Sequence, residues 1–290
     1  MKVLITGGDG FIARSLTEAL ATEHEIVACN RQQLELLDGE RVATFIKQDR
    51  FDAVIHAATY DAAPSFSTKD PKLVLENNLK MFFHIARCSD HFGKMIYFGS
   101  GAEFSRPHWK PKMSEDYFDQ HVPEDQYGLS KYVMTKHALQ SKNIYNLRLF
   151  GLFGKYDDWR YRFIPNACAR AVLNLPITIN QNKRFDFLLI DDLAPVVRWV
   201  IQGHPKNKVY HVCSGTTYEF KTLAEMILKI SGKKLDIVIK KDGFGGEYSG
   251  DNTRLLDEMK GVTFTPLESA IAQLYTWYED HRSIIKPEDL

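Results

Sequence analysis

Three groups of residues have types and spacings that can do chemistry. The first is Thr6-Gly7-Gly8-Asp9-Gly10-Phe11-Ile12-Ala13. It follows the apolar run Lys2–Ile5 and opens a helical pattern carrying Leu16, Ala19 and Leu20. A strand that turns tightly into a helix leaves the helix's first N–H groups unpaired. Those donors and the helix dipole make a seat for a pyrophosphate. Gly7 and Gly10 let the backbone bend and approach a ligand closely. A plain glycine turn between two packed elements is the alternative, and the strand–turn–helix context weighs against it.

The second group is Tyr127-Gly-Leu-Ser-Lys131. On a helix, residues four apart share a face. A free tyrosine ionises near pH 10, and a neighbouring ammonium favours the phenolate. Tyr127 beside Lys131 is therefore expected to have a lowered pKa and to exchange a proton with a substrate oxygen. Such pairs are common on helix surfaces, so the spacing alone is weak. Ser100 strengthens it, because it ends the apolar run Lys94–Phe98, where a hydroxyl can meet a ligand. The third group is Asn30-Arg31, after the run Glu25–Cys29. In a dinucleotide fold an acid here would bind the adenosine ribose, whereas an arginine suits a 2′-phosphate. Arg31 without an acid favours NADP(H), with NAD(H) possible; a solvated loop cation is the other reading of Arg31.

Elements that must position these groups are visible in the pattern. Phe51–Ala58 reads as a buried parallel strand ending in small residues, which leaves room at the sheet's binding edge. Positions 41–48 and 71–91 have helical spacing, with Asn78 inside the longer one as a buried polar tie to a neighbouring strand. Leu175–Ile179 reads as an edge strand, since Pro176 sits near its start. Segments 190–202, 220–231 and 267–279 read as helices, and Val209–Val212 and Leu235–Ile239 as strands. The Gly-rich Gly243–Gly246 follows the second of these strands.

Composition sets the class. The chain has 290 residues, with 37 Lys+Arg against 37 Asp+Glu. That balance indicates neither a nucleic-acid nor a membrane surface. Cys29, Cys88, Cys168 and Cys213 are too scattered for a metal cluster, so no metal is expected; they read as reduced, buried thiols of a cytoplasmic protein. No apolar run is long enough to cross a bilayer, and Met1 leading straight into a core strand argues against a secretory signal.

Taken together, these residues resemble the extended short-chain dehydrogenases/reductases, in particular the nucleotide-sugar epimerase/dehydratase/reductase group. The resemblance covers nearly the whole chain. Thr6-Gly7-x-x-Gly10-Phe11-Ile12 matches that group's cofactor loop, with Ala13 where a third glycine is usual. Glu35-Leu36 falls where an acid touches the adenine amine. His56-Ala57-Ala58 and Asn78 match positions lining the cofactor. Ser100, Tyr127 and Lys131 match the catalytic triad, with Tyr127 and Lys131 also touching cofactor. Arg148–Gly154 resembles the strand and turn after the catalytic helix, and Arg184–Leu193 the return into the sheet. Asp251-Asn-Thr-Arg254 resembles a late motif whose basic residue contacts nucleotide phosphates.

The resemblance implies an α/β Rossmann-type doubly wound parallel sheet with a smaller C-terminal α/β substrate lobe. Residues 1–154 and about 183–215 are expected in the cofactor domain, and about 155–182 with 216–290 in the lobe. It also implies a homodimer through helices near 72–91 and 127–140. Dehydratases of the group carry an acid pair directly after the catalytic serine or threonine. Here those positions are Gly101-Ala102, and Glu103, on a strand-like segment, comes one step too late. The cysteine and histidine of the GDP-fucose synthase type, expected at Ala102 and near Arg162, are absent. What remains is a ketoreductase of nucleotide-linked sugars, with a 4-keto-6-deoxy sugar favoured. Ser100, Gly101, Ala102, Arg184 and Arg254 are the substrate-side candidates, with Arg160 and Arg162 weaker ones. A nucleotide-sugar 4-epimerase with tightly held NAD needs the same triad and is the second reading. A non-catalytic cofactor-binding subunit is the third.

Overall fold

The computed structural model of the chain describes residues 1–62 and 66–290. The first half alternates strand and helix: β1 (Lys2–Thr6), α1 (Phe11–Leu20), β2 (Glu25–Cys29), α2 (Gly39–Asp49), β3 (Ala53–His56), α3 (Val74–Ala86), β4 (Lys94–Ser100), α4 (Gln126–Gln140) and β5 (Ile144–Leu149). With β8 (Val209–Val212) these strands form one parallel sheet in the order β2-β1-β3-β4-β5-β8. β1, β3, β4 and β5 are nearly continuous apolar runs because helices cover both faces. On one face Leu16 and Leu20 of α1 pack with Val3, Ile5, Ile55 and Leu147, joined by Val196, Val197 and Val200 of α6 (Leu193–Gln202). On the other, Val42 and Ile46 of α2, Phe82 of α3 and Met134 of α4 pack on Leu4, Val54 and Tyr97. The expected doubly wound sheet is present.

The strand order reverses between β1 and β3, and such a switch opens a crevice at the strands' carboxyl ends. The Gly-rich turn after β1 and Ala57-Ala58 after β3 both border it. The six-stranded order therefore places the chemistry-bearing turns on one edge.

The remaining elements form a second layer: β6 (Gly151–Phe153), α5 (Phe163–Val172), β7 (Ile177–Leu189), β9 (Thr217–Glu219), α7 (Phe220–Ser231), β10 (Ile237–Tyr248), α8 (Thr253–Glu258) and α9 (Leu267–Asp280). β7 lies between β10 and β6 in a parallel sheet, and β9 joins it antiparallel. Ile164, Cys168, Ile177, Ile179, Leu223, Ile271 and Tyr278 make a separate core.

Several expectations change in detail. Leu175–Ile179 is not a short edge strand: Pro176 precedes a 13-residue central strand, β7, that runs unbroken across the boundary expected near 182. The Gly-rich Gly243–Gly246 lies within β10, whose pairing with β7 slips between Lys241 and Phe244 and again between Phe244 and Glu247. Such bulges are where glycine is tolerated in a strand. The helix expected over 71–91 is α3 flanked by two 3-10 turns. All four cysteines are free and buried. Among the described residues, no helix is long and apolar enough to cross a membrane.

Candidate active site

The turn after β1 has the shape its sequence promised. Gly7 has φ +73°, and a Cβ there would lie 2.8 Å from Ala58 Cα. Only glycine fits that close approach. Gly10 is the N-cap of α1 and offers the helix no side-chain cap, so the N–H groups at Phe11 and Ile12 open onto the crevice edge. Thr6 Oγ1 lies 2.9 Å from Nδ1 of buried His56. Burial, aided by the Lys131 charge, pushes His56 down to about 3, so its ring is neutral. These features fit a dinucleotide: a cradle that a side chain would fill, and an uncapped helix start.

Beyond β2, Asp9, Asn30, Arg31, Gln32 and Glu35 line an open depression. Asn30 Oδ1 accepts from the N–H groups of Gln32 and Gln33, fixing the loop. The exposed Arg31 donates from Nε to Glu35 Oε2 at 2.7 Å. Leu36 is buried, and its carbonyl bonds His84. Asn78 is a buried polar tie, but to the loop after β3 and to its own helix rather than to the strand expected. Its Nδ2 donates to Tyr60 O and Val74 O, and its Oδ1 accepts from Tyr60 N.

Ser100 and Tyr127 are both half-buried, and Lys131 is buried. Asp125 caps α4 by accepting from Gly128 N. A Cβ at Gly128 would lie 2.7 Å from Ala102 O, so this glycine lets the start of α4 pack on the backbone after Ser100. That contact sets Tyr127 beside Ser100. The Lys131 ammonium donates to Phe98 O at 2.8 Å and stands 5.7 Å from the Tyr127 ring centroid.

The expected lowering of Tyr127 by Lys131 is not found. Burial pushes the phenol up, reinforced by Tyr248 and Asp61, while Arg162 and Ser100 draw it partly back. Burial also pushes Lys131 down to about 8, opposed by Glu103 and Asp61. Both groups are thereby held in or toward their neutral forms. Burial thus favours the neutral phenol at Tyr127.

Glu103 is the largest surprise. The segment after Ser100 is not strand-like but a 3-10 turn, Gly101–Phe104, in which Ser100 and Glu103 form a capping box. Glu103 Oε1 accepts from Ser100 N, and Oε2 accepts from Thr135 Oγ1 of α4 and from Nε and Nη2 of Arg148 on β5. Both ion-pair partners are fully buried. Arg148 Nη1 lies 2.8 Å from His211 Nε2 on β8. The alternation of a strand does not apply to such a turn, and Glu103 faces the interior as a structural anion.

The arginines separate. Arg184 is exposed and paired with Glu219. Successive strand residues face opposite sides, and it is its neighbour Phe185 whose ring reaches Tyr248, 5.1 Å away. Arg184 is therefore not brought to the Ser100–Tyr127 cluster. Arg254 pairs with Asp116 at 2.7 Å and approaches Glu115, whose Oε1 accepts from His211 N. Arg160 pairs with Asp158. Arg162, the N-cap residue of α5, is the arginine whose charge acts on Tyr127. Tyr248, which sequence reasoning passed over, places its hydroxyl 3.4 Å from Ser100 Oγ. Ala102 is buried beneath the turn, and Gly101 lies against Tyr248.

Comparison with known proteins agrees with this geometry. The family model described as "NAD dependent epimerase/dehydratase family" matches residues 3–213. GDP-L-colitose synthase of Yersinia pseudotuberculosis is 22% identical over 98% of this chain and 99% of its own. GDP-6-deoxy-D-talose 4-dehydrogenase of Aggregatibacter actinomycetemcomitans is 21% identical over 95% and 97%. Among solved structures, a GDP-mannoheptose C4 reductase from Campylobacter jejuni with NADP bound superposes with a TM-score of 0.83 at 21% identity, covering 96% of this chain and 98% of that one.

Two outcomes follow from the buried groups. Glu103→Gln leaves the Arg148 charge buried without its anion, and losing one partner of a buried pair costs about 3–5 kcal/mol; urea unfolding reads the loss, and a change below about 1 kcal/mol contradicts the pairing. For His56, the unfolded chain takes up a proton near pH 6.5 that the folded chain refuses until about 3. Stability is full above 6.5 and falls as pH drops through that window. NMR of the ring should find His56 neutral at pH 5; a charged ring at that pH contradicts its burial.

Proposed function

This chain belongs to the NAD dependent epimerase/dehydratase family, whose members are NAD(P)-dependent enzymes of nucleotide-sugar metabolism, and from that premise we propose that it reduces a keto group, at C4 by preference, on a nucleotide-linked sugar using NADPH. The observation that carries this reading is the cluster of the Ser100, Tyr127 and Tyr248 hydroxyls, with no acid at positions 101 and 102. The position after Ser100 is filled by the Tyr248 ring, so the site offers neutral donors and no general-base carboxylate there. Names of the similar proteins support a GDP-linked sugar acted on at C4; within that class a 4-keto-6-deoxy sugar is the substrate we favour.

Bound NADPH supplies the hydride. The chain's own residues do the rest. Gly7, Gly10, Phe11 and Ile12 seat the pyrophosphate, Ala57, Ala58 and Asn78 line its far wall, and His56 stays neutral beneath. Asn30 and Arg31 take the 2′-phosphate, and Glu35 and Leu36 flank the adenine. Tyr127 holds a proton at its phenol oxygen and gives it to the sugar oxygen as negative charge develops there. Ser100 donates a second hydrogen bond to that oxygen, a preorganised stabilisation. Lys131, anchored on Phe98 O, holds the nicotinamide ribose. Arg184 and Arg254 are the basic groups for the substrate's diphosphate side, where guanidinium suits phosphate oxygens, with Arg160 and Arg162 weaker candidates. A homodimer through the outer faces of α3 and α4 belongs to the same reading; exposed Leu139 on α4 supports it.

A 4-epimerase is the second reading. It is supported by the likeness to a UDP-glucose 4-epimerase from Thermus thermophilus in complex with NAD, TM-score 0.79 at 18% identity.

Tyr127→Phe removes the proton holder, and general acid catalysis contributes about 10²–10⁴-fold. Turnover should fall by that factor with NADPH binding within about twofold, read by stopped-flow and by nicotinamide fluorescence; wild-type-like activity removes Tyr127 from the role. Arg31→Ala should raise the Kd for NADPH about tenfold or more, since a charge-assisted contact is worth about 1.5–3 kcal/mol, and leave NADH nearly unchanged. Equal losses contradict the 2′-phosphate assignment.

A further inference from the structure

β10 begins in the outer sheet and ends in the active site. Its last residue, Tyr248, is buried. The ring lies flat against Gly101, where an added Cβ would stand 2.5 Å from Tyr248 Cε2 and 2.8 Å from its hydroxyl oxygen. Trp109 covers it at 4.3 Å between ring centroids, and Phe150 and Phe185 flank it at 5.1 Å each. Trp109 is itself pinned by an Nε1–H bond to Gly101 O. The hydroxyl is thus located by packing on several sides, 3.4 Å from Ser100 Oγ.

A serine hydroxyl has one proton and two lone pairs. At Ser100 one lone pair is taken by the N–H of Ala102 at 3.2 Å. If Ser100 gave its proton to Tyr248, none would remain for a substrate oxygen. If Tyr248 donates instead, the second lone pair is used and the Ser100 proton is left for the side facing Tyr127. The Tyr248 phenol sits among aromatic rings, with the Gly101 N–H and the Ser100 hydroxyl as its hydrogen-bonding neighbours; of these two only the Ser100 oxygen can accept its proton.

We propose that Tyr248 is a positioning residue that donates to Ser100 Oγ and thereby fixes Ser100 as a hydrogen-bond donor toward the reacting oxygen. The active site is then completed by the second layer of the fold: the lobe that bears β10 supplies the group that orients the serine at the end of β4. Gly101 is required for this, because any side chain there displaces the Tyr248 ring. The inference rests on the reading that Ser100 contacts the sugar oxygen.

The test compares Tyr248→Phe, Ser100→Ala and the double variant. Phe keeps the ring contacts and deletes only the hydroxyl. Each enzyme is assayed with NADPH and GDP-4-keto-6-deoxymannose, alongside NADPH affinity and thermal unfolding. The expected result is a kcat about tenfold lower for Tyr248→Phe, the size of one hydrogen bond felt in the transition state, with KM, NADPH Kd and Tm unchanged. In the Ser100→Ala background the same substitution should change kcat by less than about twofold, because coupled residues are not additive. A wild-type kcat for Tyr248→Phe overturns the proposal. So does an equal loss with and without Ser100, which would make the effect independent of the serine, or a raised KM with kcat preserved. Tyr127→Phe separates this from the underlying reading. If that variant is inactive while Tyr248→Phe is normal, only the role of Tyr248 fails; if wild-type enzyme does not turn over the keto sugar, or Tyr127→Phe is active, the underlying reading fails.

Discussion

One buried carboxylate holds the candidate active site together. Glu103 receives the backbone N–H of Ser100 from β4, the hydroxyl of Thr135 from α4 and the guanidinium of Arg148 from β5, and Arg148 extends the chain of contacts to His211 on β8. Ser100 lies at one end of this network, and Thr135 shares a helix with Tyr127 and Lys131. The distance between the serine and the tyrosine is therefore set by charge as much as by apolar packing. A fully buried ion pair is expensive to desolvate and repays the cost only when its hydrogen bonds are complete. Here Glu103 is saturated, and Gly99 makes room: a Cβ there would lie 2.3 Å from Glu103 Oε1 and 2.2 Å from Asn146 Oδ1.

That arrangement also decides the protonation of the site. Burial raises Tyr127, lowers Lys131 and lowers His56. The negative charge of Glu103 opposes the lowering of Lys131 but is itself committed to Arg148. The result is a neutral phenol at Tyr127 and a neutral ring at His56 beside a Lys131 ammonium that is easier to deprotonate than usual but still mostly charged at neutral pH, a setting suited to meeting an oxygen on which negative charge develops. A dehydration would need an acid and a base beside Ser100. In their place stand Gly101, the Tyr248 ring and Ala102. The reaction class favoured by this geometry is hydride transfer with proton donation.

Much of this was legible in the sequence. The Gly-rich turn, the alternation of strands and helices, Ser100 at a strand end and the Tyr127–Lys131 spacing depend on short-range periodicity, and the fold places them as expected. What was not legible depends on contacts far apart in the chain. Glu103 was read on a strand-like segment, and a one-residue difference in phase hid its inward direction; the capping-box spacing from Ser100 to Glu103 was the local signal of a turn. Arg184 was singled out for its type; its pairing with Glu219, and the contact of its neighbour Phe185 with Tyr248, come from the register of β7 and β9. Tyr248 follows a Gly-rich stretch whose composition assigns it to no element. Only the bulged pairing of β10 with β7 carries it to Ser100, 148 residues away in sequence. The lowering of Tyr127 failed for a related reason: helical spacing gives proximity to Lys131, but burial is a property of the assembled fold.

The most direct test of the account follows the absorbance of reduced nicotinamide as the purified protein meets NADPH and a GDP-linked 4-keto-6-deoxy sugar. The account predicts stoichiometric loss of NADPH with formation of the corresponding hydroxy sugar, and much weaker turnover with NADH. Conversion of a non-keto nucleotide sugar to its C4 epimer, with no net change in the nicotinamide, would contradict it and make the protein an epimerase.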